Sequence, residues 1–325
     1  MLTQHRRGFL ASLAAGLGAL PHATWAQAPW PNRPIKLIVP AAAGGASDRL
    51  GRMLIPELVK SLGQPVVVDN RAGGGGSLGT GVAVGAAADG YTLLISGVFN
   101  AINAGLQKLP YDFTTDFVHV AQLAYGPNVL VARPDFPVDN VAQLVARAKT
   151  GPGTINYASG GVGTSGHLSM EIFQRAAGVQ LTHVAYRGGA LAMQDLLAGV
   201  VPLLMTNQDA ALPHIKAGKL KALAITSAQR NPAYPQTQTF AEAGYSDVLV
   251  TSWAGLAAPK GTPAAVIDRL RSGVLAALQR PDVRQPLEAD GWVVATMKPS
   301  EFEEFVRSET TRMTRIIRDA QIKVE

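Results

Sequence analysis

Three stretches place glycines and hydroxyls where a strand hands over to a helix. The first is Ala41-Ala42-Ala43-Gly44-Gly45-Ala46-Ser47-Asp48. The second is Gly73-Gly74-Gly75-Gly76-Ser77, and the third is Ser159-Gly160-Gly161-Val162-Gly163-Thr164-Ser165. Glycine lets the backbone approach a ligand closely and take positive φ. A helix start offers unpaired N–H groups and a partial positive charge. Together these make an anion site, to which Ser47, Ser77, Thr164 and Ser165 add uncharged donors. Each loop alone is also an ordinary strand-to-helix turn, where glycine is common. Three in one chain, each with hydroxyls, favour an anion cradle. In open α/β sheets ligands sit beyond the carboxyl ends of the strands, where such loops lie.

Other chemistries lack their residues. Gly74-x-Gly76-x-x-Gly79 and Gly161-x-Gly163-x-x-Gly166 match the dinucleotide fingerprint. That fingerprint also needs an acid at the end of the next strand. The next strands end at Ile95-Ser96-Gly97 and Tyr186-Arg187, so neither supplies one. No phosphate loop, H-E-x-x-H spacing or G-x-S-x-G elbow occurs, and no nucleophile, base and orienting group assemble by spacing. The chain has no Cys, which removes disulfides and thiolate chemistry together. The expectation is a protein without metal, cofactor or catalytic residues. His167, in the first turn of a helix, reads equally as ligand contact, cap or core residue. Asp48 and Asp209, near strand ends, read as a helix cap, a partner for a ligand amine or hydroxyl, or a general base. Trp253 and Trp292 read as core or domain-interface residues.

The elements that would position these loops alternate. Strand-like runs at 35–39, 66–68 and 91–95 are interleaved with helix-like runs at 47–62 and 78–88. The pattern resumes with strands at 128–132, 154–158, 183–186, 201–205 and 222–226, and helices at 141–150, 165–177 and 190–198. The tail reads as helices over 264–278, 300–305 and 309–320. Alternating β and α units predict an α/β protein with parallel or mixed sheets. At 325 residues, two domains are the default. A helical tail packing back on the first unit gives domain 1 as 27–126 plus 252–325 and domain 2 as 127–251, with a cleft between them.

The composition, 47% hydrophobic and 16% charged, is that of a folded protein. The net charge of +6 is spread along the chain. It suits an acidic ligand and argues against nucleic acid, which requires clustered basic residues. Arg6-Arg7-Gly8-Phe9-Leu10, an apolar stretch to Leu20 and Thr24-Trp25-Ala26 read as a signal peptide over 1–26, cleaved after Ala26. The twin-arginine route and the ordinary secretory route both fit this leader. The mature chain is expected to be exported, periplasmic and monomeric.

Beyond these readings, the chain resembles the Bug family, the extracytoplasmic receptors of tripartite tricarboxylate transporters. The likeness runs from Trp30 to Glu325. It rests on Trp30-Pro31-Asn32-Arg33-Pro34-Ile35-Lys36, Gly44-Gly45-Ala46-Ser47-Asp48, Leu62-Gly63-Gln64-Pro65-Val66, Ala88-Asp89-Gly90-Tyr91-Thr92, Asn156-Tyr157-Ala158-Ser159 and Ala257-Ala258-Pro259-Lys260-Gly261-Thr262-Pro263, in order. The resemblance implies a periplasmic binding protein fold of type II kind, closing over a small carboxylate held between the first and third glycine loops. It also implies membrane transporter subunits as partners. A receptor docking on a membrane sensor, or an exported enzyme on the same fold, are the alternatives. By position Gly45, Ser47 and Asp48 match the family's first loop, Ser159, Gly163, Thr164 and Ser165 its second clamp, and Asn207-Gln208-Asp209 a variable stretch meeting the ligand's far end. With Ser77, Asn100 and His167 these complete the candidate ligand contacts. Ala41 and Ala43 stand where the family usually has larger residues, which leaves ligand size open, and Arg187 is a candidate grip for a second carboxylate.

Overall fold

The computed structural model describes residues 30–322. The expected export segment, its expected cleavage site at Ala26 and the last three residues lie outside the described residues. Strand β1 (Ile35–Val39) pairs in parallel with β2 (Val66–Asn70) and β3 (Thr92–Gly97). Its run of Ile35, Leu37, Ile38 and Val39 is fully buried, as a strand covered on both faces requires. Helix α1 (Ala46–Leu62) covers one face through Leu50, Leu54, Leu58 and Leu62, spaced four apart, and stops at Gly63 with φ 71°. Helix α2 (Ser77–Val84) follows β2, and α3 (Val98–Leu106) follows β3.

The long strand β4 (Phe117–Ala132) links two halves of one sheet. Its residues 117–127 pair antiparallel with β9 (Thr251–Pro259), which also pairs antiparallel with β3. Its residues 128–132 pair antiparallel with β7 (Leu203–Asn207) and β8 (Lys221–Ile225). Strands β5 (Asn156–Ser159) and β6 (Thr182–Ala185) extend the second half in parallel. The strand order is β2-β1-β3-β9-β4-β7-β5-β6, with the short β10 (Val293–Val294) on β4. We call the two halves and the helices on them lobes. Lobe 2 also carries α4 (Val141–Thr150), α5 (Ser165–Ala177), α6 (Gly189–Ala198) and α7 (Gln208–Lys216).

The tail returns to lobe 1. Helix α8 (Ala264–Gln279) packs on α1, α9 (Pro281–Ala289) follows it, and α10 (Pro299–Asp319) packs on α3. One apolar core lies within lobe 1, around Leu37, Leu58 and Leu270, and another within lobe 2, around Val131, Leu196 and Leu204. A third runs through both, from Ile38 and Leu94 past Phe302 of α10 to Phe173 and Phe240.

Several elements differ from the sequence reading. Helix α10 is continuous, because Phe302, Val306, Glu309, Met313 and Ile317 form one buried stripe across the expected break. Helix α2 ends at Val84, with Gly85 as its cap, rather than at Ala88. Helices α3, α7 and α9 and strand β9 had no sequence expectation. The α3 run Val98-Phe99-Asn100-Ala101-Ile102 is buried except for Phe99, so it shows no polar face for periodicity to reveal.

Candidate functional site

A cavity of ≈ 720 Å³ opens between the lobes, lined by the loops that follow β1, β2, β5, β6 and β7. Two stretches of its lining are the starts of helices. Gly45 precedes α1 without a side chain to cap it, and Gly45, Ala46 and Ser47 all line the cavity. Across from them Gly188 precedes α6, again with no side-chain cap, at φ 122°. Gly188, Gly189 and Ala190 line the same cavity. A Cβ on Gly188 would stand 3.5 Å from the Ala42 side chain of the other lobe. Two uncapped helix starts, one from each lobe, therefore face one space, each with free N–H donors and the positive end of its dipole.

The second glycine loop brings the lobes together elsewhere. Gly73, Gly74, Gly75 and Gly76 all have positive φ, a path that side chains rarely take. A Cβ on Gly75 would meet the Val162 carbonyl of lobe 2 at 2.4 Å. Asn103 on α3 braces this junction. Its Nδ2 donates to the Gly75 carbonyl at 2.9 Å and to the Phe99 carbonyl at 2.7 Å. Gln107 Nε2 donates to Asn103 Oδ1 at 2.6 Å. Asn103 also packs against Gly163, where a Cβ would stand 2.5 Å from Asn103 Oδ1.

The third loop is closed on itself. Thr164 Oγ1 donates to the Gly161 carbonyl at 2.7 Å and accepts from His167 N–H at 3.4 Å, capping α5. Ser165 Oγ donates to Asn128 Oδ1 at 2.9 Å, tying the helix start to the strand that joins the lobes. Ser159 lies behind the loop, fully buried. Its Oγ is 2.7 Å from His183 Nε2 and accepts from Gly161 N–H at 3.1 Å. His183 stacks on Tyr157 at 4.9 Å and packs against His167 at 4.6 Å. Burial pushes His167 down to about 4, and burial with the neighbouring His167 does the same for His183.

The twelve candidate contacts thus separate by place. Gly45, Ser47, Thr164, Ser165 and Asn207 line the cavity. The other seven sit outside that lining. Ser77 starts α2 behind the second loop. Asn100 accepts from Gly97 N–H at 2.9 Å and donates to Thr80 Oγ1 at 2.8 Å, deep in lobe 1. Ser159, Gly163 and His167 support the third loop as described. Asp48 accepts from Gly44 N–H at 2.9 Å, from Asn70 Nδ2 at 3.0 Å and from Arg52 Nε at 2.9 Å. Burial raises its carboxyl, but the bonds from Arg52, Gly44 and Asn70 outweigh it and hold Asp48 below the ordinary carboxylate value. Asp209 is buried and ion-paired with Arg49. Asn207 lines the cavity while its Nδ2 donates to Ser252 Oγ at 2.6 Å.

Sequence reasoning singled out Arg187 but passed over Asn103, Gln107, Asn128 and the glycines of the loop 185–190. The last carried a signal, Arg187-Gly188-Gly189-Ala190 between a strand and a helix, but no hydroxyl to draw attention to it. Trp253 and Trp292 are buried, as core residues would be, and also form part of the cavity wall. Among the described residues lining the cavity, Arg187 is the one charged side chain. Among the described residues, no cluster of His, Asp and Glu suited to a metal occurs.

Two α/β lobes joined by extended crossovers around a cleft are the architecture of a solute-binding protein. The family model of the tripartite tricarboxylate transporter family receptor, TctC, matches residues 50–322, and the chain belongs to that family. Protein BugT of Bordetella pertussis is 38% identical over 299 residues, spanning 91% of this chain and 92% of BugT. The periplasmic binding protein BugD superimposes with a TM-score of 0.86 at 33% identity, covering 91% of this chain and 100% of BugD. MatC from Rhodopseudomonas palustris, solved with bound malate, superimposes with a TM-score of 0.85 at 32% identity, covering 89% of this chain and 100% of MatC. Among the described residues, no helix is long and apolar enough to cross a membrane.

Proposed function

We propose that this protein captures a small carboxylate between its lobes in the periplasm and presents it to the membrane subunits of a tripartite tricarboxylate-type transporter. The observation that carries this reading is the pair of uncapped helix starts, α1 and α6, that open on one cavity from opposite lobes. A carboxylate there accepts N–H bonds from both helices, and closure removes the water that would otherwise screen its charge. Ser47 and the second amide hydrogen of Asn207 supply side-chain donors at the same wall, while the Thr164 and Ser165 hydroxyls donate within lobe 2. The malate bound by MatC supports the same ligand class.

Capture is by binding alone, with no turnover, metal or cofactor. The moving units are 27–126 with 252–325, and 127–251. The strands that cross between them, at 126–128 of β4 and 250–252 before and at the start of β9, act as the hinge. The leader 1–26 directs export and is removed after Ala26. A thermal-shift screen of the mature protein against mono-, di- and tricarboxylates tests this, because a ligand that binds the folded state raises its melting point. The expected result is a shift with one carboxylate class and unchanged ligand after incubation. No shift from any carboxylate, with no carboxylate released by the denatured protein in mass spectrometry, would remove the reading. Loss of the ligand on incubation would replace it with an enzyme.

A further inference from the structure

Arg49 and Asp209 sit on opposite lobes, just outside the cavity. Arg49 is in the first turn of α1 and Asp209 in the first turn of α7. Arg49 Nη2 donates to Asp209 Oδ2 across the lobe junction. The Asp209 side chain is 2% exposed and that of Arg49 is 41% exposed. The same guanidinium donates from Nη1 to the Gly44 carbonyl at 2.9 Å. Gly44 N–H is held by Asp48, itself anchored by Arg52 and Asn70. The peptide groups before the uncapped start of α1 are thus gripped from both sides. One grip lies within lobe 1, and the other depends on a carboxylate of lobe 2.

The surroundings strengthen that dependence. Asp209 Oδ1 is buried with no hydrogen-bond partner among the described residues, so Arg49 is its charge partner. The other charged groups facing the pair are Asp290, at the end of α9 in lobe 1, and Lys216, at the end of α7. Asp290 is pushed up by burial and by the charge of Asp209, and Arg49 and Lys216 oppose this. Without Arg49 two carboxylates would face each other across the junction. Neither Arg49 nor Asp209 is among the residues lining the cavity, so the pair forms without using a contact to the ligand.

We infer that Arg49 is a positioning residue. Through Asp209 it draws the lobes together before the ligand arrives, and through Gly44 it sets the orientation of the N–H groups that receive the carboxylate. This rests on the reading that the lobes close over a ligand. It assigns Asp209 to lobe closure rather than to contact with a ligand amine.

The test uses the absence of Cys from the chain. Spin labels are placed through Val67→Cys on β2 and Val200→Cys beside α6, both exposed and on different lobes. The distance between them is measured by pulsed electron resonance without ligand. Arg49→Gln and Asp209→Asn are expected to move the distribution to longer distances. The charge exchange Arg49→Asp with Asp209→Arg is expected to return it toward that of the parent. Amide exchange of the peptide covering Gly44 to Asp48 should quicken about tenfold in the single variants, the scale of losing one charge-assisted bond. A purely structural role in α1 would lower the melting point and leave the interlobe distance unchanged. Coincident distributions in parent and single variants would overturn the inference. Because this readout needs no ligand, it stands apart from the carboxylate screen.

Discussion

At the start of α1, Gly45 leaves the first N–H groups open to the cavity and Ser47 stands on its wall. At the start of α5, Thr164 turns its hydroxyl back on its own loop, capping the helix and bonding Gly161. Both loops carry glycines and hydroxyls after a strand, and chemically they read alike. The difference lies in where the hydroxyl goes. A threonine at the N-cap satisfies the helix it begins, whereas a serine two residues inside the helix is free to face a ligand. On the proposed reading the α1 loop therefore receives the ligand and the α5 loop supports. The support runs deeper on the α5 side, through Ser159, His183 and Tyr157, than cavity contact alone would need.

This contrast is sharpened by four substitutions. The largest effect is expected from Gly75→Val. A β-branched residue at φ 61°, with its Cβ aimed at the Val162 carbonyl, opposes both the backbone and the approach of the lobes. Strain of about 3 kcal/mol in the closed form corresponds to roughly a 100-fold rise in Kd. Calorimetry reads it, and an unchanged Kd would mean that the lobes do not meet at this loop when ligand is bound.

Acid should act on the α5 loop before it acts on the α1 loop. His167 stays neutral in the fold down to about 4, against 6.5 for an unperturbed imidazole. Between those values the unfolded chain binds the extra proton, so stability falls as the pH drops through that window. The loss is on the order of 3 kcal/mol for one fully buried imidazole. His119, also buried and pushed down to about 4, adds to it. Melting curves for His167→Leu should fall less steeply than the parent between pH 6.5 and 4. Parallel curves would show that His167 accepts its proton freely in the fold. Asp48 in the α1 loop, held below the carboxylate range, keeps its bonds throughout this window.

The smallest changes separate the two helix starts directly. Ser47→Ala should weaken ligand binding by about 1–2 kcal/mol, the range for a hydrogen bond to a charged group, with little change in melting point. Thr164→Ala should do the reverse, costing about 1 kcal/mol of stability as a lost cap and less in affinity. Equal effects of the two on affinity would erase the distinction between receiving and supporting loops.

Much of this was legible in the residues. The alternation of strands and helices located β1 to β3 and the second half of the sheet within a few residues, because a buried strand shows as a short apolar run bounded by turn residues and an amphipathic helix leaves a period. The glycine loops were visible for the same reason, since positive φ at 73–76 is written in residue type. Strand β9 and helix α3 were not, because an element buried on all sides shows no contrast between faces. Asp48 and Asp209 stood out as polar residues near a site. Their partners, Arg52 four residues on and Arg49 in the other lobe, decide what they do. The first was within reach of helix spacing. The second needs the lobes placed against each other. The loop 185–190 had the glycines but lacked Ser and Thr, and an uncapped helix start shows itself in a sequence only by what is missing.

The central claim is that the two opposed helix starts hold the negative charge of the ligand. Titration calorimetry of the mature protein with the carboxylate found by the screen, and with its primary amide, tests it directly. The amide has nearly the same shape and no charge. The account predicts that the amide binds at least about tenfold more weakly. Equal affinity for acid and amide would contradict it and move recognition to the apolar walls of the cleft.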